Sequence, residues 1–164
     1  MSPATRRGAL ARGLLALGGL VGLGASGASA VRGARSFVLH ARDVAGDARD
    51  ERAGTVPMRG DRLTLRGDLF DEHGRAAGEL HGAVMTLRGP GAHESAAERL
   101  ELHTFKLRDG TIVGSGTSGA SEGEFAILGG TGRYAAARGT YVALHDRREL
   151  GGGGTAEFRF TLAS

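Results

Sequence analysis

Six histidines are the groups in this chain best suited to proton transfer or metal ligation: His40, His73, His81, His93, His103 and His145. A metal site needs such residues clustered, and here they are scattered, with no His-x-x-x-His and no i, i+2 pair on one strand. No metal site is expected. His73 and His93 fall in turn-like sequence and read as solvated. His40 stands apart because it follows the apolar run Phe37-Val38-Leu39. If Val38 and His40 share the inward face of a strand, the imidazole stands in an apolar cavity as a general acid or base, which makes His40 the candidate catalytic residue. The competing reading is a strand histidine facing solvent or bonded to a backbone carbonyl. Gly129-Gly130-Thr131-Gly132 invites comparison with a phosphate loop, yet it lacks the Lys-Ser/Thr ending and the following helix. It reads as a tight turn, where glycines supply positive φ. With no cysteine in the chain, thiol catalysis and thiolate metal sites are excluded.

The elements that must position these groups are strands. Leu63, Leu65, Gly67 and Leu69 fall on one face of a run whose other face is Thr64, Arg66 and Asp68, a period of two. Further runs are expected at 36–42, 78–87, 99–107, 111–115, 139–145 and 155–162, with a short one through Phe125, Ile127 and Leu128. Turn-forming residues separate them, and Asp109-Gly110 between two β runs is a hairpin signal. Residues 43–60 are polar, rich in Ala, Gly and Arg, and read as a long loop. No run outside the N-terminus has a helical apolar period. About eight short strands at this spacing specify an all-β sandwich or barrel. A barrel removes the exposed edges that endanger a chain without disulfides, and eight strands enclose room for side chains or one small ligand. Leu65, Val84, Leu100, Leu102, Thr104 and Tyr141 are expected to line the interior, as the wall of a cavity or as a filled core.

The first thirty residues have a different character. Thr5-Arg6-Arg7 opens a cationic stretch, residues 13–24 are apolar and rich in Gly and Leu, and Ala28-Ser29-Ala30 follows. That is the order of a secretory signal, and the arginine pair also admits the twin-arginine route. The apolar stretch is shorter than the roughly 20 residues needed to span a bilayer. We therefore expect a signal peptide over 1–30, a domain over 31–164, a secreted product and no stable membrane insertion once the leader is removed. Three of the 21 basic residues and none of the 18 acidic ones lie in the leader, leaving 18 against 18 in the domain. The whole-chain pI of about 10.1 thus belongs to the leader. With no basic excess and only two tyrosines and six phenylalanines, nucleic-acid binding is not expected.

Two segments carry a family likeness. One is Gly60-Asp61 before a strand, Leu69-Phe70-Asp71 into a turn, and Ala77-Gly78 into the next strand. The other runs from Phe125 to Tyr134, FAILGGTGRY, followed by Ala137-Arg138-Gly139. Together they resemble the allene oxide cyclase barrel family and the related dirigent proteins, over roughly 36–162. The resemblance implies an eight-stranded antiparallel barrel, a homodimer or homotrimer, a largely apolar cavity and no cofactor. It implies a hydrophobic small molecule whose cyclisation or coupling is directed mainly by confinement. Set against the family's first strand, Val38 occupies the position of an acid and His40 that of an amide. Val84 falls where the family often has a cysteine. Two alternatives stay open: a non-catalytic, lipocalin-like carrier, and an exported structural or interaction module with a packed interior.

Overall fold

The computed structural model describes residues 34–48, 56–90, 97–146 and 151–163. The expected leader at 1–30 lies outside the described residues. Eight strands follow one another: β1 (Arg35–Ala48), β2 (Arg62–Asp71), β3 (Ala76–Arg88), β4 (Glu98–Leu107), β5 (Gly110–Ser118), β6 (Glu122–Gly130), β7 (Arg138–Asp146) and β8 (Gly151–Ala163). Each pairs antiparallel with the next, and β8 returns to pair with β1, so the sheet closes into a barrel.

Local sequence explains the tight connections. The Asp71 carboxylate accepts from the backbone N–H groups of His73 and Arg75, both at 2.9 Å, and forms the β2–β3 turn. Asp109-Gly110 turns β4 into β5. A side chain at Gly110 would collide with the Thr131 carbonyl, because the 3-10 turn Gly132–Tyr134 packs directly on this hairpin. The Gly129-Gly130-Thr131-Gly132 run is therefore the end of β6 and the start of that turn.

Two boundaries differ from expectation. The loop expected over 43–60 is strand as far as Ala48. The register of β1 against both neighbours shifts between Arg42 and Ala45, and Asp43 takes a φ of +52°. This bulge absorbs a break in the alternation and lets the strand continue. Similarly, β8 begins at Gly151 rather than at Thr155.

The alternation that suggested strands also fills the lumen. Leu39, Ala41, Leu65, Leu69, Leu80, Val84, Ile112, Phe125 and Phe160 all point inward and are buried. Aromatic rings pack across the barrel axis. Phe105 meets Phe158 and Phe160 edge-on, with centroids 4.9 Å apart in each case, and Tyr141 stacks on Phe125 at 4.9 Å. The chain ends of β1 and β8 and the 3-10 turn lie at one end of the barrel. The strand ends at Ala48, Arg62, Arg88, Glu98, Ser118, Glu122, Asp146 and Gly151 lie at the other, hereafter the mouth.

Candidate functional site

β4 decides the site. The sequence suggested Leu100, Leu102 and Thr104 as interior positions, but these face outward, Leu100 being 38% and Leu102 42% exposed. Glu101, His103 and Phe105 face the lumen instead, none more than 2% exposed. The cause is register. Phe105 lies opposite Leu80 on β3 and Ile112 on β5, both buried, so the neighbouring strands fix which face of β4 is inside. Leu65, Val84 and Tyr141 do point into the barrel. His40 does not: Leu39 and Ala41 are the inward residues of β1. His40 lies on the outer wall, its side chain 40% exposed and its Nδ1 3.7 Å from Glu157 Oε2 on β8. His40 therefore stays out of the lumen and borders a surface groove with Arg42, Leu144 and Glu157.

The inward turn of β4 places a charged cluster inside the barrel. Glu101 Oε2 stands 3.1 Å from His103 Nε2 and 3.8 Å from His145 Nε2 on β7. Ser118, on β5, donates its hydroxyl to Glu101 Oε1. On its far side, His103 Nδ1 lies 3.0 Å from the Tyr141 hydroxyl. Ser115 bonds the Glu101 carbonyl at 3.0 Å and steadies the strand itself. Gly114 makes this network sterically feasible, since a Cβ there would stand 2.8 Å from the Tyr141 Oη.

These contacts set the charges. Burial pushes the Glu101 carboxyl up, but His103, Ser118 and His145 together outweigh it and hold the pKa at about 2. Glu101 is therefore an ion. Burial, then the Glu101 charge, drives Tyr141 well above the ordinary phenol range. The Tyr141 hydroxyl and His103 Nδ1 share a hydrogen bond, and His103 turns its Nε2 to Glu101. This 3.1 Å contact is the largest of the influences that lower the Glu101 carboxyl. Among the described residues no set of three or more His, Asp or Glu is arranged to hold a metal ion.

On the mouth side, a recess of about 30 Å³ reaches this cluster. Val44, Leu63, Leu65 and Val84 form its apolar wall, and Arg99, Glu101, His145 and Asp146 its polar one. Its size suits one or two water molecules. The arrangement can bind a small polar group, screen it from bulk water and exchange a proton with it through His145. Sequence reasoning missed Glu101 and Ser118, and it named His103 and His145 only among six scattered histidines. The only local signal was Glu101-Leu102-His103, where two ionisable groups share a face opposite leucines, a pattern that ordinarily marks an outward polar face.

Comparison with known proteins bears on the fold. No family model matches the chain, and no curated protein matches it. Among solved structures, a pterocarpan synthase dirigent protein superposes with TM-score 0.61 at 17% identity, over 80% of this chain and 96% of that one. The fold is that of the dirigent and cyclase barrels. A pyocyanin demethylase gives TM-score 0.59 at 20% identity, over 78% of this chain and 99% of its own. The Diels-Alderase AbmU from Streptomyces koyangensis gives 0.57 at 18% identity, and the match covers 77% of this chain and 63% of AbmU. At these identities the likeness establishes architecture alone. The resemblance read from the turns and glycines is met at that level.

Proposed function

We propose that this protein is an exported barrel that takes the reactive end of a small hydrophobic molecule into the mouth recess and directs its ring closure. The observation that carries this reading is the ionised Glu101, 2% exposed, held between two histidines at the floor of an apolar-walled recess. A barrel that needed only a core would pack as well with apolar residues there, and strongly perturbed groups next to a recess mark functional sites. In this scheme His145, the member nearest solvent at 10% side-chain exposure, accepts a proton from the bound molecule. Glu101 stabilises the imidazolium, and the proton returns at another position, so the reaction is an isomerisation with no net change in atoms. The apolar wall limits the conformations from which a ring can close. Support by analogy comes from the dirigent and Diels-Alderase barrels that share the fold. Export is supported by the arginine pair, the apolar stretch and the Ala28-Ser29-Ala30 run.

The filled lumen favours a second reading, a structural or interaction module, and weighs against a lipocalin-like carrier, which needs roughly 300 Å³ or more of enclosed space. Native mass spectrometry of the protein recovered from its host's exported fraction separates these readings. The proposal expects an N-terminus after Ala30 and a non-covalent small-molecule adduct. It further expects the adduct to be lost when Val84→Phe fills the recess while circular dichroism still shows a folded barrel. A ligand-free wild-type protein, or an adduct indifferent to Val84→Phe, overturns it, and the same spectrum counts the subunits.

A further inference from the structure

The outer wall over β2 to β6 carries apolar surface that the packing of the lumen does not explain. Among the described residues five large apolar side chains are exposed, and three of them, Leu100, Leu102 and Leu128, stand on this wall. Strand pairing arranges the wall in rows. One row runs Arg62, Met85, Leu100, Thr117 and Glu124, and the next Thr64, Ala83, Leu102, Ser115 and Ala126. Ala83 and Met85 on β3, with Leu100 and Leu102 on β4, line an apolar groove there. Exposed apolar surface gathered in this way marks a place where another surface packs. A centre of Leu and Met between charged shoulders is the anatomy of a protein interface. A closed barrel has no free strand edge, so association at this wall is face to face.

Charge decides what covers the wall. Elsewhere on the outside charges pair locally, Glu79 with Lys106 and Glu157 with Arg159. Arg62 and Glu124, at the two ends of the Leu100 row, have no ion-pair partner among the described residues. They stand on β2 and β6, four strand spacings or about 19 Å apart along the wall, too far to pair with each other. A second copy, turned about a twofold axis that runs along β4 at Leu100, sets its β6 over the first copy's β2. Arg62 then meets Glu124 of the second copy, and the same pair forms again across the axis. Leu100 and Leu102 of the two copies meet at the centre and enter the facing grooves. We propose that this protein is a twofold dimer joined through the outer wall of β3 to β5, with two Arg62–Glu124 pairs fixing its register. Such a contact closes on itself and leaves no free wall for a third copy. A lipid surface or a free apolar ligand would cover the leucines and leave Glu124 without a counter-charge. The wall faces away from the lumen, so the dimer does not depend on what the mouth binds.

Sedimentation velocity on the protein recovered from its host tests it. Wild type is expected to sediment as a dimer at micromolar concentration. Leu100→Asp should give a monomer with an unchanged circular dichroism spectrum, because Leu100 points away from its own lumen. Arg62→Glu and Glu124→Arg each set like charges opposite one another twice, and each should weaken the dimer at least about tenfold. The double variant, Arg62→Glu with Glu124→Arg, exchanges the partners and should restore association. If Leu100→Asp does not fold, the charge exchange decides alone. These substitutions act between barrels, so the stability of one barrel, measured below the concentration at which dimers form, stays as it was. A monomeric or trimeric wild type overturns the proposal. So does a dimer indifferent to the single charge reversals, or one that the double variant fails to rescue. A monomer that floats with phosphatidylcholine vesicles overturns it as well and assigns the wall to a lipid surface.

Discussion

Replacing Glu101 by glutamine tests whether the buried carboxylate is an ion held by its neighbours. Glutamine keeps the shape and an acceptor oxygen for Ser118 but removes the charge that faces His103 and His145. In the folded protein the carboxyl is held at about 2, against an ordinary value of 4.5. A carboxylate whose folded pKa lies below its unfolded one stabilises the native state above the unfolded value. That stability is lost as pH falls from about 4.5 toward about 2. Over the whole window the contribution is about 3 kcal/mol, at about 1.4 kcal/mol per pH unit. About 2 kcal/mol of it disappears between roughly pH 6 and pH 3. Glu101→Gln has no such component. Urea unfolding at about pH 6 should therefore show the variant less stable by about 3–5 kcal/mol, the cost of breaking a buried pair. At about pH 3 the gap should be narrower by about 2 kcal/mol. The exposed carboxylates Asp71 and Glu79, also held low by their partners, are present in both proteins and cancel in the difference. An equal gap at the two pH values would refute the ionised, partner-held carboxylate.

Three further outcomes follow from the packing. Tyr141→Phe removes the hydroxyl 3.0 Å from His103 Nδ1 and leaves a buried ring nitrogen unsatisfied. It should cost about 1–3 kcal/mol in denaturant unfolding and alter the His103 tautomer seen in ¹⁵N NMR. Gly114→Ala puts a methyl 2.8 Å from the Tyr141 oxygen and 2.9 Å from the Ala126 carbonyl. Overpacking of this kind should destabilise by about 1–3 kcal/mol and perturb the same His103 signal. The facing of β4 is tested by contrast: Phe105→Ala, at a fully buried site, should cost about 3–5 kcal/mol. Leu102→Ser, at 42% exposure, should stay within about 0.5 kcal/mol, and the reverse ranking would mean the register is wrong.

Much of the architecture was legible in the chain because it rests on local chemistry. The alternation of Leu63, Leu65 and Leu69 against Thr64, Arg66 and Asp68, and the Asp109-Gly110 turn, are properties of neighbouring residues and survive into β2 and the β4–β5 hairpin. Strand ends were harder to read. The extension of β1 to Ala48 depends on a bulge at Asp43 that only the two flanking strands stabilise. His40 illustrates the same limit at a side chain. Period two says that His40 and Val38 share a face, but not which face, and the partners of β1 turned it outward.

The site shows where local information ends. The run from Arg99 to Leu107 alternates, so it offers two faces, one with Leu100 and Leu102 and one with Glu101 and His103. Hydrophobicity alone favours the leucines as the inner face. Barrel closure reversed that choice, because Phe105 must sit between Leu80 and Ile112. The same closure brings Ser118, 17 residues from Glu101, and Tyr141, 38 residues from His103, across the lumen into one network. Sequence determined that this chain forms closed antiparallel strands, because alternation and turn chemistry act between near neighbours. Only the tertiary structure decided that a carboxylate and two histidines occupy the interior, because burying them is tolerable only where strands distant in sequence supply their partners.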